Sequence, residues 1–350
     1  MDARLERLTP RWPALPGWPL ALAVLAAAMV LAANSGALDL GLADWQALLA
    51  DEPAQGAQVL AQLRLPRVAF SVVVGAALGL AGALSQGLFR NPLAEPSLLG
   101  IPGGAICAVA LVLTVFATWA GGLPSAWRPV VVPCAALAGA WLMCALLQVV
   151  ARWLAPGAVA GLLLTGLALN ALAMAVVGLC TYLATDEQLR NLSFWQLGSL
   201  ALANWPVVAV LAPVVVGVLV LAPRWGQALN ALALGDAVAA QVGVPVVRLR
   251  RALVLALALL SGLAVAWCGL IGFVGLLAPH AARGLVGADA RRVLPVAAWV
   301  GALLLLLADT AARTLVVPAE LPVGILTALL GAPVLFLLLR RAQRDIGGGW

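Results

Sequence analysis

A chain of 350 residues that is 64% hydrophobic and only 10% charged has the composition of a polytopic membrane protein, which excludes a soluble globular domain. All 20 basic residues are Arg, set against 14 acids for a net charge of +6. In a soluble chain that surplus would suggest nucleic acid; here the arginines lie in short segments between apolar runs, so they report orientation in a bilayer. A membrane β-barrel is also excluded, because runs such as 252–260 and 302–308 do not alternate polar and apolar residues.

A spanning helix needs about 20 apolar residues. By that measure the predicted spans are 18–34, 66–87, 98–119, 130–150, 158–183, 197–221, 249–268, 272–284, 293–313 and 321–339. The fold class is therefore all-α, about ten transmembrane helices in a single transmembrane domain, 1–350. The first span follows Arg4, Arg7 and Arg11 and could be mistaken for a secretory signal. It reads as a retained span, because the later charge pattern needs it. With the N-terminus in the cytoplasm, fifteen of the 20 arginines fall inside. Only Arg64, Arg67, Arg128, Arg190 and Arg313 fall outside, a strong positive-inside bias. Residues 36–62 form the longest outer loop, with a short surface helix expected at Asp44–Leu49.

The second span carries Gly75-x-x-x-Gly79 and the fifth begins at Gly157-x-x-x-Gly161, spacings that let helices approach closely in lipid. The second span should stop at Asn91-Pro92-Leu93, since proline disfavours a helical residue before it. An internal echo exists. Arg64-Leu-Pro-Arg67 opens the second span and Arg248-Leu-Arg-Arg251 the seventh; each is followed by a Gly/Ala-rich span and a Pro-bearing junction. Two units of five spans in opposite orientations would produce such an echo. The five cysteines all lie in apolar segments without CxxC spacing and read as packing residues, not as a metal or disulfide framework. Asp309 is the one acid inside an apolar run; its expected partner is Arg313, one helical turn on. His280, the sole histidine, follows Pro279 at an expected helix junction and reads as a structural cap.

The segment 224–247 differs from its surroundings. It carries Arg224, Gln227, Asn230, Asp236 and Gln241 at helical spacing, with glycines at 235 and 243. A pair of short amphipathic helices between two spans suits a handle gripped from outside the membrane. Asp236 is placed where a helix start favours its charge, and the glycines where helices end.

Five segments in order, covering about 60–341, carry a resemblance. They are Arg64-Leu-Pro-Arg67 with the glycine-rich run 74–82; 86–104, QGLFRNPLAEPSLLGIPGG; 229–243, LNALALGDAVAAQVG; 269–283, GLIGFVGLLAPHAAR; and Asp309 to Arg313 followed by 320–333, ELPVGILTALLGAP. Together they resemble the FecCD family, the permease subunits of ATP-driven importers of iron compounds and cobalamin. The resemblance implies an inverted-repeat-like homodimer in the bacterial inner (cytoplasmic) membrane. It implies two copies of a cytoplasmic ATPase subunit and a periplasmic substrate-binding protein as partners. By resemblance, Asn230, Leu234, Gly235, Asp236, Ala239 and Gly243 belong to the cytoplasmic coupling helices at 224–247. Arg64, Arg67 and Arg313 match positions that dock acidic residues of the binding protein, a task suited to the planar guanidinium fork. Asn91 and Leu93 match the inner gate.

The fifth span and the loop after it, with Asn170, Tyr182 and Arg190, look most like haem importers within the family. Asn170 would line the path, and Arg190 near the outer mouth would attract haem propionates. Ferric-siderophore and cobalamin permeases share the motifs and stay open as cargo readings. An ion-coupled secondary transporter needs several acids or histidines within spans, and only Asp309 is available. An intramembrane protease would need HExxH or an equivalent, which is absent. No GxxxxGK followed by Ser or Thr exists, so ATP and Mg belong to the partner ATPase and no cofactor, metal or catalytic residue is expected in this chain.

Overall fold

The computed structural model describes residues 17–36, 38, 40–154, 159–316 and 319–346. Arg4, Arg7, Arg11 and Gly157 lie outside the described residues. Among the described residues the chain is helical and without strands. The elements are α1 (Trp18–Asn34), α2 (Leu42–Leu49), α3 (Gln55–Val59), α4 (Leu65–Phe89), α5 (Ile101–Leu113), α6 (Ala117–Gly121), α7 (Arg128–Leu154) and α8 (Val159–Leu183), then α9 (Asp186–Gln196), α10 (Trp205–Ala233), α11 (Asp236–Gln241), α12 (Val246–Cys268), α13 (Val274–Val286), α14 (Ala290–Thr314) and α15 (Val323–Ile346).

Six helical segments are long and apolar enough to cross a membrane: Gln55–Phe89, α7, Gly161–Leu183, α10, α12 and α14. The other predicted spans fall on α1, α5, α13 and α15, which are shorter or carry shorter apolar stretches. Three expectations shift. The loop 36–62 contains the expected helix α2, but its second half is helical as well. A π-helical turn, Leu60–Arg64, joins α3 to α4 into one rod of 35 residues, because Leu60 is fully buried and holds the turn against the bundle. The sixth span begins at Trp205, not 197. Gly198 has a positive φ of 73°, and the Asn204 side chain caps the helix by accepting from Val207 N. The same helix runs on to Ala233, so Arg224–Ala233 is the end of α10 and only α11 is a separate short helix.

The core is built around α4, most of which is buried between α14, α13, α12 and α10. Glycine makes this possible. A Cβ on Gly75 would stand 2.3 Å from the carbonyl oxygen of Gly301 on α14, and one on Gly79 would stand 2.1 Å from that of Ala297. Pro279 lacks the N–H that would bond the carbonyl of Gly275. That carbonyl lies against Gly82 of α4, where a Cβ would be 1.7 Å away. Pro279 and His280 therefore sit inside α13 and not at a helix junction. His280 is exposed on that helix.

The internal echo has a counterpart in element order. α4, α5, α7 and α8 have 25, 13, 27 and 25 residues; α12, α13, α14 and α15 have 23, 13, 25 and 24. α4 packs on α14 as α12 packs on α7.

Candidate functional site

Charged side chains gather at the two ends of α4, and a cavity lies between. A helix of 25 residues is about 37 Å long, so these ends are separated by roughly the thickness of a membrane.

At the first end, Arg64, Arg67 and Arg313 come together, but the donors of Arg64 and Arg313 are turned inward. The last carbonyls of a helix have no intrahelical partner. Arg64 donates from Nη1 to Ala33 O at 2.9 Å and also to Leu38 O; Arg313 donates to Ala32 O and Ser35 O, both at 3.1 Å. Two buried arginines thus close the end of α1. Asp309, buried on α14, accepts from Arg67 Nη2 at 2.9 Å and pairs with Arg313 Nε at 3.2 Å. Arg313 is the expected partner one turn on; Arg67 is a second that its sequence distance concealed. Arg67 Nη1 holds both carboxylate oxygens of Glu320, at 3.0 and 2.9 Å. Arg64, Arg67, Arg313 and Glu320 line a cavity of about 500 Å³ open to the surface.

At the other end, α4 finishes at Phe89 and Arg90 takes a left-handed φ of 50°, so the helix stops just before Asn91-Pro92 as expected. Asn91 Oδ1 accepts from Leu93 N at 2.9 Å, which shapes a tight turn. Asn91 lines a pocket of about 220 Å³ together with Arg90, Gln86, Asn230 and Arg283. Gly235 and Gly243 have φ of 119° and 87°, which only glycine adopts without strain, and they delimit α11. Asp236 is the first residue of α11, where the helix dipole favours it. It is also tied to the spans: it pairs with Arg90 at the end of α4 and with Arg250 of α12 at 2.7 Å. Asn230 donates to Asp289 at 2.7 Å and accepts from Ala290 N at 2.9 Å, joining α10 to the start of α14. Hydrogen bonds from Arg291, then from Asn230, hold the Asp289 carboxyl down at about 2, against the opposing effect of burial. Ala239 is buried, whereas Leu234, Val238 and Val242 are exposed, so the hairpin offers an apolar surface beside its ionic anchors.

Between the ends, a cavity of about 740 Å³ is lined by apolar side chains of α4, α5, α8 and α12 and by few polar ones: Glu95, Ser97, Asn170, Gln196 and Ser261. Asn170, which the resemblance puts on the path, is among the lining residues. Arg190 is not among the lining residues; it is exposed on α9, as Tyr182 is on α8. Glu95 is the acid that sequence reasoning passed over, although it stands inside the quoted run 86–104 directly before a proline. Its carboxylate accepts from Phe273 N at 3.1 Å and from Ser97 Oγ at 3.3 Å, bridging the turn before α5 to the turn before α13. Burial pushes its carboxyl up, and the two hydrogen bonds offset part of that. Ser261 Oγ is buried beside the cavity without a hydrogen-bond partner. Among the described residues, no cluster of His, Cys, Asp or Glu could hold a metal ion.

The comparisons agree with this layout. The profile of the FecCD transport family matches residues 21–341. The hemin transport system permease protein HmuU of Yersinia pestis is 44% identical over 290 residues, 81% of this chain and 84% of that protein. The vitamin B12 import system permease protein BtuC of Vibrio cholerae is 43% identical over 284 residues, 81% of this chain and 83% of that one. A solved ABC transporter described as of metal-chelate type, in an inward-facing conformation, superposes with a TM-score of 0.77 at 31% identity, covering 93% of this chain and all of that one. These relatives are membrane permease subunits and not enzymes. With its apolar helices, its cavity and its profile match over most of its length, the chain belongs to the FecCD transport family and is a multi-pass permease of the ABC importer type.

Proposed function

We propose that this permease moves haem across the inner membrane from a periplasmic binding protein, driven by a separate cytoplasmic ATPase. The observation that carries the reading is the central cavity: about 740 Å³, mostly apolar, with sparse polar groups, a lining suited to a flat and greasy macrocycle. The similarity to the hemin permease points the same way. Arg190, exposed on α9, attracts the propionates on the approach. The ATPase grips the α10–α11 hairpin through Leu234, Val238 and Val242. Movement passes through Asp236 to Arg90 and hence to the Asn91–Leu93 gate. The binding protein docks over the cavity at Arg64, Arg67 and Arg313. The N-terminus is cytoplasmic, and ten helices in two inverted sets of five span the bilayer.

A second copy completes the pathway. Only 22% of the most apolar stretch of α8 is buried, and its Leu164 and Leu167 line the cavity while exposed, so one chain leaves the cavity open on that side. Cobalamin is the second reading. It is favoured by a lining of carboxamide, hydroxyl and carboxyl groups that, among the described residues, includes no Arg to pair with propionates, and by the vitamin B12 relative.

The test is uptake by proteoliposomes holding the permease and its ATPase. Hemin accumulation that needs ATP, stops with vanadate and ignores a proton uncoupler is expected. Accumulation of cyanocobalamin in place of hemin would transfer the assignment to the second reading. Unchanged hemin transport by Arg190→Ala would remove that residue's role.

A further inference from the structure

We propose that Glu320 is a built-in stand-in for the docking partner, a carboxylate of the permease itself that occupies Arg67 until an acidic side chain of the soluble binding protein replaces it. The proposal rests on the docking reading above and adds a residue with a role to it.

Arg67 divides its donors between two carboxylates of unlike standing. Nε and Nη2 face Asp309, at 3.1 and 2.9 Å, and that side chain is 1% exposed. This half of the fork is committed, because breaking a buried pair leaves an uncompensated charge. Nη1 holds Glu320, whose side chain is 47% exposed. That half is exchangeable, because pairs open to water add little free energy. Glu320 covers Arg67, which is itself only 13% exposed, so the guanidinium becomes available only as Glu320 leaves.

Charge makes the exchange specific. Among the described residues, Arg64, Arg67, Arg313 and Glu320 line the outer cavity, and Arg67 faces two carboxylates, of Asp309 and Glu320. With Glu320 swung out, Arg67 keeps Asp309 alone. An incoming carboxylate restores the first state by accepting from Nη1 in place of Glu320. The site therefore selects an acidic protein group placed to reach Arg67 and leaves the permease closed to casual anions. The cost is reduced affinity: a site open in only a fraction of molecules binds more weakly by that fraction.

The experiment uses the full chain in detergent, titrated at low salt with a short synthetic peptide carrying two glutamates; the same peptide with two glutamines is the blank. If Glu320 is closed on Arg67 in about four of five molecules, Glu320→Gln binds the acidic peptide about fivefold more tightly than wild type. Glu320 is exposed, so this variant keeps the fold, which thermal unfolding checks. The companion variant is Arg67→Gln, which leaves buried Asp309 paired with Arg313, is checked by the same thermal unfolding, and is expected to lose most binding. If it loses binding while Glu320→Gln binds no tighter than wild type, the stand-in role is overturned and docking survives. If it binds as wild type does, docking at Arg67 fails and the stand-in role fails with it. Absence of acidic-peptide binding by wild type and Glu320→Gln alike overturns both.

Discussion

Burying a carboxylate costs several kcal/mol unless its charge and lone pairs are met. Asp309 meets that condition twice, through Arg67 at 2.9 Å and Arg313 at 3.2 Å. Removing it leaves two arginines of the same cluster facing each other without their shared anion. Asp309→Ala is expected to destabilise the chain by about 3–5 kcal/mol, read as a lowered unfolding temperature in detergent; an unchanged temperature would contradict the role. Half of this arrangement was legible, since Asp309 and Arg313 are one helical turn apart. Arg67 was not, because 242 residues separate it from Asp309 and only the packing of α4 on α14 brings them together. The same holds for Arg64 and Arg313 as caps of α1. The resemblance implies outward docking arginines, whereas burial and unpaired helix carbonyls turn two of the three inward.

Among the elements, α4 sets the limits of the bundle. Its close approach to α14 depends on Gly75 facing Gly301, where no side chain fits. Gly75→Leu is expected to cost about 1–3 kcal/mol through forced separation of the helices. Gly217→Leu, on a face of α10 with nothing within 4 Å, is the control and leaves the unfolding temperature unchanged. Equal effects would mean that the loss comes from glycine replacement in general. The small-xxx-small spacing announced a close contact but could not name its partner, because every span in this chain is apolar and many carry small residues. Boundaries were legible where a capping or breaking residue marks them, as at Asn91-Pro92. They were misjudged at 197–204, where apolar residues continue but Gly198 and the Asn204 cap delay the helix.

At the scale of the molecule, α4 joins two charged ends, one at Arg67 and one at Arg90. Asp236 ties the second end to the hairpin that the ATPase is proposed to grip. Asp236→Arg places a third cation between Arg90 and Arg250, and Gly243→Trp imposes a bulky side chain on a φ of 87°. Both are expected to lower the yield of the purified permease–ATPase complex about tenfold, equivalent to ~1.4 kcal/mol of association energy, with membrane insertion unaffected. Normal yield from both would count against the coupling assignment.

Composition and hydropathy were sufficient to establish a helical membrane protein, to place the six helices long and apolar enough to span, and to mark the polar segment at 224–247, because lipid imposes the same demand on each segment independently of the others. Family resemblance rested on local motifs for the same reason. Which arginine meets which acid, which carboxyl lines the cavity, and which glycine admits which neighbour were decided only by tertiary structure. Those are relations between segments far apart in the chain, and they arise from how the helices are packed against one another.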